Sequence, residues 1–155
     1  MDCKALAAAF PKITYLPSTT QYENSTSSYF AAFENELHPA CVLIPRTAQE
    51  IANIIKFLQQ APGSLPIAIR GGGHTPWAGS ANINAGVTID MRQLNGVNID
   101  RNNIVAIAAG EAWSNVYTSL ERKGLAVVGG RVSKVGVVGL AIGGKFRIEL
   151  LCALI

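Results

Sequence analysis

The chain has 155 residues and a mass of 16.4 kDa, is 49% hydrophobic with a mean hydropathy of +0.26, and carries 15% charged residues against the ~25% usual in globular domains. One domain of that size buries about two-thirds of its unfolded surface, and the apolar, weakly charged composition excludes a disordered chain and a coiled coil. The net charge of +3 comes from 13 basic and 10 acidic residues spread along the chain, so no nucleic-acid partner is expected; no apolar run approaches the ~20 residues that span a bilayer, so no membrane partner is expected.

In chain order, the apolar stretch 6–10 is too short and too close to Pro11 to be a secretory core. Residues 11–30 are rich in Ser, Thr and Pro and read as an irregular lead-in. Asn24, Ser25 and Thr26 form an N-x-T sequon, which matters only in a secreted protein. Cys3, Cys41 and Cys152 are odd in number and widely spaced, with no CxxC, so no metal site or redox dithiol is expected. Cys41 opens an apolar run and reads as an inert buried thiol. His38, before Pro39, reads as a surface residue.

A strand is expected over 41–44, stopped by Pro45. Thr47 to Glu50 is a capping box, with a hydroxyl capping the helix start and a carboxylate reaching back. Ile51, Ile54, Ile55 and Leu58 then mark one helix face, and Pro62 and Gly63 end it. The next strand, 66–70, runs straight into Gly71, Gly72, Gly73 and His74. Strands follow at 87–90 and 97–100, with Asn95 and Gly96 between them as a turn signal. The pattern then repeats. A strand is expected over 104–108; Trp113, Val116, Tyr117 and Leu120 form a second helix face. Gly124 suits the left-handed position past a helix end. A strand over 125–128 leads into Gly129 and Gly130 and a run through Gly136, Gly139, Gly143 and Gly144. Asp90 and Asp100 close strands and read as turn residues. Trp77 is a candidate to pack beside a ligand ring or to be buried.

Fourteen of the 15 glycines lie between Gly71 and Gly144. Such loops let backbone N–H groups converge on one point and bind anions, phosphate above all. Two of them, each leaving a strand, point to a shared ligand beyond the strand ends. Neither a GxGxxG between strand and helix nor a Gly-Lys-Ser/Thr follows, so neither a Rossmann nor a P-loop site is expected.

Arg70 to His74, then Gly79 to Asn82, then Val87 to Asp90 resemble FAD-linked oxidases of the vanillyl-alcohol oxidase and p-cresol methylhydroxylase type, nearest the berberine-bridge-enzyme-like branch. The segment from Gly124 through Gly144 is similar to that family's second flavin-contacting stretch. The resemblance implies an α+β, PCMH-type FAD-binding domain with two βαβ units, incomplete and covering 38–144, after a lead-in over 1–37 and before an atypical tail over 145–155. It implies FAD held by Gly71, Gly72, Gly73, His74, Thr75 and Ser80, with Gly129, Gly130, Val135, Gly136 and Gly139 lining the flavin and its phosphates. Arg70 is a candidate phosphate contact, although its place at a strand end favours a structural ion pair or hydrogen bond. His74 matches the histidine that many members bond to the 8α carbon of the flavin. Doubly linked members carry a cysteine near the position of Val132, so at most one covalent link is expected here.

The implied activity is oxidation of a small organic substrate by hydride transfer to the flavin, with electrons passed on to O₂. Full-length members run to several hundred residues and are often secreted; their substrate domain and catalytic base fall outside the likeness. The break after Gly144 leads to a second expectation: a truncated, catalytically inactive FAD-binding remnant, or a gene model that reads into an intron at Gly144-Lys145-Phe146.

Overall fold

The computed structural model describes residues 2–60 and 65–144. A four-stranded sheet has the order β1-β2-β4-β3, built from β1 (Thr14–Tyr15), β2 (Cys41–Leu43), β4 (Val87–Asp90) and β3 (Ile67–Arg70). Strands β2, β4 and β3 are parallel, with Cys41 and Ile67 both opposite Val87; β1 pairs antiparallel with β2. The crossover from β2 to β3 is α4 (Ala48–Gln60). Its start is the expected capping box. Glu50 N–H donates to Thr47 Oγ1 at 3.1 Å, and Thr47 N–H donates to Glu50 Oε2 at 3.2 Å. The expected stop at Pro62 and Gly63 and the tail over 145–155 lie outside the described residues.

Alternation along the strands gives the sheet two chemically different faces. Cys41, Leu43, Val87 and Ile89 face an apolar core with Leu6 of α1 (Cys3–Ala9), Ile13, and Ile54 of α4. The other face presents Thr88, Asp90 and Arg70, all buried. Their cover is α2 (Thr20–Thr26) and α3 (Ala32–Asn35). This corrects the irregular lead-in expected over 11–30. The segment holds a strand and a helix because it must satisfy the polar groups of that face. Ser25 Oγ donates to Asp90 at 2.7 Å, and Tyr22 OH donates to Pro39 O at 2.8 Å. A second correction concerns Cys41, which is buried as expected but bonded to Cys3, tying α1 to β2.

A second layer contains β5 (Val97–Ile99) and β6 (Val105–Ile107), an antiparallel pair. Asp100 is a turn residue, its Oδ1 accepting the N–H groups of Asn102 and Ile104, both at 2.8 Å. The hairpin packs on α5 (Trp113–Glu121) through Trp113, Val116 and Leu120. Gly124 takes the left-handed conformation, with φ +66°, just past the end of α5. Residues 125–128 form no named strand, so the second unit lacks its closing strand among the described residues. The alternation itself is correct. Leu125 and Val127 turn toward the α5 cluster while Ala126 and Val128 are exposed. A short helix, α6 (Val137–Ile142), stands where a glycine loop was expected.

Candidate functional site

Because β2, β4 and β3 are parallel, they end on the same side, where ligands of open α/β sheets bind. Arg70 and Asp90 are register partners at that end. Arg70 is fully buried. Its Nη1 donates to Ser25 O and its Nη2 to Ser28 O at 2.7 Å. It lies 4.0 Å from Asp90 Oδ2, with its guanidinium carbon 3.7 Å from the Tyr29 ring centre. Among the described residues its buried Nε has no hydrogen-bond partner. The guanidinium therefore clamps the lead-in to the sheet. Burial, reinforced by the charge of Arg92, pushes its pKa down, opposed by Asp90 and Tyr29. Burial also raises the Tyr29 phenol, partly offset by Arg70.

Asp90 is an ionic hub as well as a turn residue. Its carboxylate receives Arg92 Nη2 at 2.6 Å and Nε at 2.9 Å, and caps the next turn through Arg92 N–H. Burial alone would raise its pKa, but the Arg92 hydrogen bonds and charge, then Arg70 and Ser25, hold the carboxyl below its usual range.

Beyond Arg70 the chain enters the first glycine loop. Gly73 has φ +66°, and a Cβ there would lie 2.9 Å from both Arg70 Nε and Tyr29 Cδ1. Gly72 touches Gly136 of the second loop: a Cβ on either would sit 2.4 Å from the other's backbone nitrogen. The second loop is held by Trp113 N–H to Val135 O at 3.1 Å and Val137 N–H to Glu111 O at 2.9 Å.

Where the two loops meet they wall a cavity of about 440 Å³, within the ~300–1,000 Å³ of small-molecule sites. Nine of the expected residues line it: Gly71, Gly72, Gly73, His74, Thr75, Ser80, Val135, Gly136 and Gly139. Ile69, Ala81 and Leu140 complete the wall. Three expected residues do not line it. Arg70 lies buried behind the first loop. Gly129 and Gly130 pack on the Trp113 ring, where a Cβ would come within 2.1 and 2.6 Å of ring atoms. Val132, the position compared with a second linkage, is exposed in a turn.

The loop carrying Ser80 has an internal anion. The buried carboxylate of Glu34 accepts the N–H groups of Gly79, Ser80 and Ala81 at 3.2, 3.1 and 2.7 Å. Ser80 therefore has its hydroxyl, not its N–H, to offer a ligand. Asn82 fastens the same loop, donating to Glu34 O and Leu37 O and accepting from Thr88 Oγ1. At the cavity mouth the His74 ring stacks on Phe30, with centroids 3.9 Å apart and planes 13° from parallel. Trp77 is 75% exposed, so of its two expected environments burial is ruled out. Glu34 and Phe30 were missed from sequence. Both lie in the lead-in, and no local pattern marks either.

The site fits a flavin dinucleotide on three counts. A Cβ added at Gly71 or Gly139 meets nothing within 4 Å, so the backbone of both loops is open to close approach. Among the described residues the lining includes no carboxylate to repel a diphosphate. Two loops from different layers converge on one volume.

A family model described as FAD binding domain matches residues 39–148. The chain is 37% identical over 144 residues to the FAD-dependent monooxygenase sdcF of Emericella nidulans, covering 92% of this chain and 30% of that protein. Among solved structures it is similar to a glucooligosaccharide oxidase of Acremonium strictum that carries a 6-S-cysteinyl, 8α-N1-histidyl FAD, with TM-score 0.77, 22% identity, and 94% of this chain and 30% of that one covered. It is also similar to the BBE-like 1 protein of Physcomitrella patens, with TM-score 0.73, 20% identity, and 90% and 30% covered. The chain thus spans 30% of the length of each of these three proteins. More than half of its residues match the family model, and its two glycine loops close on one cavity: the chain belongs to the FAD binding domain family.

Proposed function

We propose that this chain is the cofactor-holding part of an FAD-dependent oxidoreductase that oxidises a small organic substrate and passes the electrons to O₂. The observation that carries the reading is the contact between Gly72 and Gly136, which brings two glycine loops and His74 around one cavity. Loop N–H groups and the Thr75 and Ser80 hydroxyls hold the phosphates, and the cofactor supplies hydride chemistry when bound. His74 bonds the flavin at its 8α carbon. A neutral imidazole nitrogen is a competent nucleophile near pH 7. The new C–N bond replaces one C–H and one N–H bond; two protons leave, and two electrons pass to an acceptor of the dioxygen class. The histidyl flavin of the Acremonium strictum oxidase supports this assignment. Val132 offers no thiol for a second link.

Among the described residues the lining includes no carboxylate or phenol. That favours a second reading for this chain taken alone: it binds FAD without turning over substrate. The test is purification after expression with FAD, a visible spectrum, and acid precipitation. Wild-type protein is expected to be yellow and to keep its flavin in the pellet, and His74→Ala to release it to the supernatant. Flavin retained by His74→Ala overturns the attachment, and a colourless wild type overturns the cofactor role. Substrate oxidation by the wild-type chain overturns the second reading.

A further inference from the structure

We infer that Phe30 is a positioning residue for His74, fixing the plane of its imidazole at the mouth of the glycine cradle; its importance for the cofactor rests on the reading of His74 as the flavin-bonded residue. The two rings are stacked at 3.9 Å and 13°. Phe30 is 66% exposed, so burial does not account for where its ring lies. Its backbone does. Phe30 N–H donates to Gly73 O at 3.0 Å, one residue before the histidine.

The residue before Phe30 is anchored independently. Tyr29 OH donates to Ala81 O at 2.9 Å, its N–H donates to Asn35 Oδ1 at 2.9 Å, and its ring lies against the Arg70 guanidinium. Residues 29 and 30 thus form a strap with one ring buried beneath the glycine loop and the next laid on the histidine.

Among the described residues no hydrogen bond is made by the His74 side chain, so the stack is the contact that sets its plane. An imidazole nitrogen donates its lone pair in the ring plane. Fixing that plane fixes the direction of attack and removes the ordering of the ring from the bonding step. Face-on stacking also leaves both nitrogens, which lie on the ring edge, uncovered.

The chain has two histidines, and the exposed His38 lies outside this cavity, so it serves as an internal reference. In histidine-labelled apoprotein, the His74 ring protons are expected upfield of those of His38 because of the Phe30 ring current. Phe30→Leu should collapse that difference and Phe30→Tyr restore it, with circular dichroism and the unfolding midpoint unchanged. After expression with FAD, covalently held flavin should fall several-fold in Phe30→Leu and return in Phe30→Tyr. Identical His74 signals in wild type and Phe30→Leu would falsify the inference, as would full covalent loading of Phe30→Leu. A wild type with Phe30-dependent His74 signals but no covalent flavin sinks the attachment and leaves the hold of Phe30 on the ring standing. A wild type with neither sinks both.

Discussion

Gly72 and Gly136 tolerate no side chain, because their backbones are in contact. Gly136→Ala would drive a methyl group to 2.4 Å from Gly72 N. The cost is expected to be about 1–3 kcal/mol from overpacking, read by urea denaturation, together with weaker FAD binding. Gly71→Ala is the control: it meets nothing within 4 Å and should be neutral or stabilising by up to ~1 kcal/mol. Equal losses of stability in the two variants without FAD would show that the loop contact is not what matters. Asp90 supplies a second prediction. Its folded pKa is depressed, below the ~3.9 of an unfolded aspartate. Its stabilising contribution is therefore complete above that value and is lost as pH falls through the folded pKa. Asp90→Asn should flatten that part of the acid-unfolding curve. At neutral pH it should cost about 3–5 kcal/mol, since Arg70 is left buried without its counter-charge. A variant with wild-type acid sensitivity would remove Asp90 from the hub.

Among the elements, α1 is attached to the sheet by covalent chemistry as well as packing. The Cys3–Cys41 bond closes a sequence separation of 38, and a loop of that length is expected to contribute about 4 kcal/mol by restricting the unfolded chain. Unfolding with and without a reductant measures it, and digestion under non-reducing conditions should return the two cysteine peptides linked. Native protein yielding free thiols at both positions would refute the pairing. A disulfide also implies folding in an oxidising compartment, the setting in which the sequon at Asn24, exposed on α2, is meaningful. Helix α5 shows how an element is held without a side-chain cap. Its N-cap, Ala112, makes none. Buried Glu111 fastens the start of the helix by accepting Gly96 N–H at 2.8 Å and Asn115 Nδ2 at 2.7 Å.

At the scale of the molecule, the described residues form two apolar clusters, one on the parallel sheet and one around α5. The cavity lies where the loop after β3 meets the loop before α6. A ligand seated there touches both layers and should stabilise them together. FAD at a hundred times its dissociation constant should raise the unfolding free energy by about 2.7 kcal/mol, visible as a rise in Tm that Gly136→Ala diminishes. No rise at saturating FAD would mean that the cavity is not the cofactor's seat. Ile69, in the cavity wall, and Ile142 of α6 are 60% and 81% exposed. No helix among the described residues is long and apolar enough to cross a membrane.

The sequence by itself determined what depends on neighbours in the chain. The capping box, the faces of α4 and α5, strands β2 to β6, the turn role of Asp100 and the left-handed Gly124 all follow from spacing a few residues long. The two glycine loops were legible as candidate ligand loops for the same reason, and nine of twelve site residues line one cavity. Only the tertiary structure decided what depends on distant pairs. Arg70 meets carbonyls of Ser25 and Ser28, Glu34 fills the backbone nest at 79–81, and Gly129 and Gly130 serve Trp113. Phe30 reaches His74, and Cys3 finds Cys41. Residues 125–128 alternate as a strand should, yet ladder pairing needs a partner that alternation does not specify. The polar lead-in became α2 and α3 because a buried face ending in Arg70 and Asp90 has to be covered by hydrogen-bonding groups. No local propensity encodes that requirement.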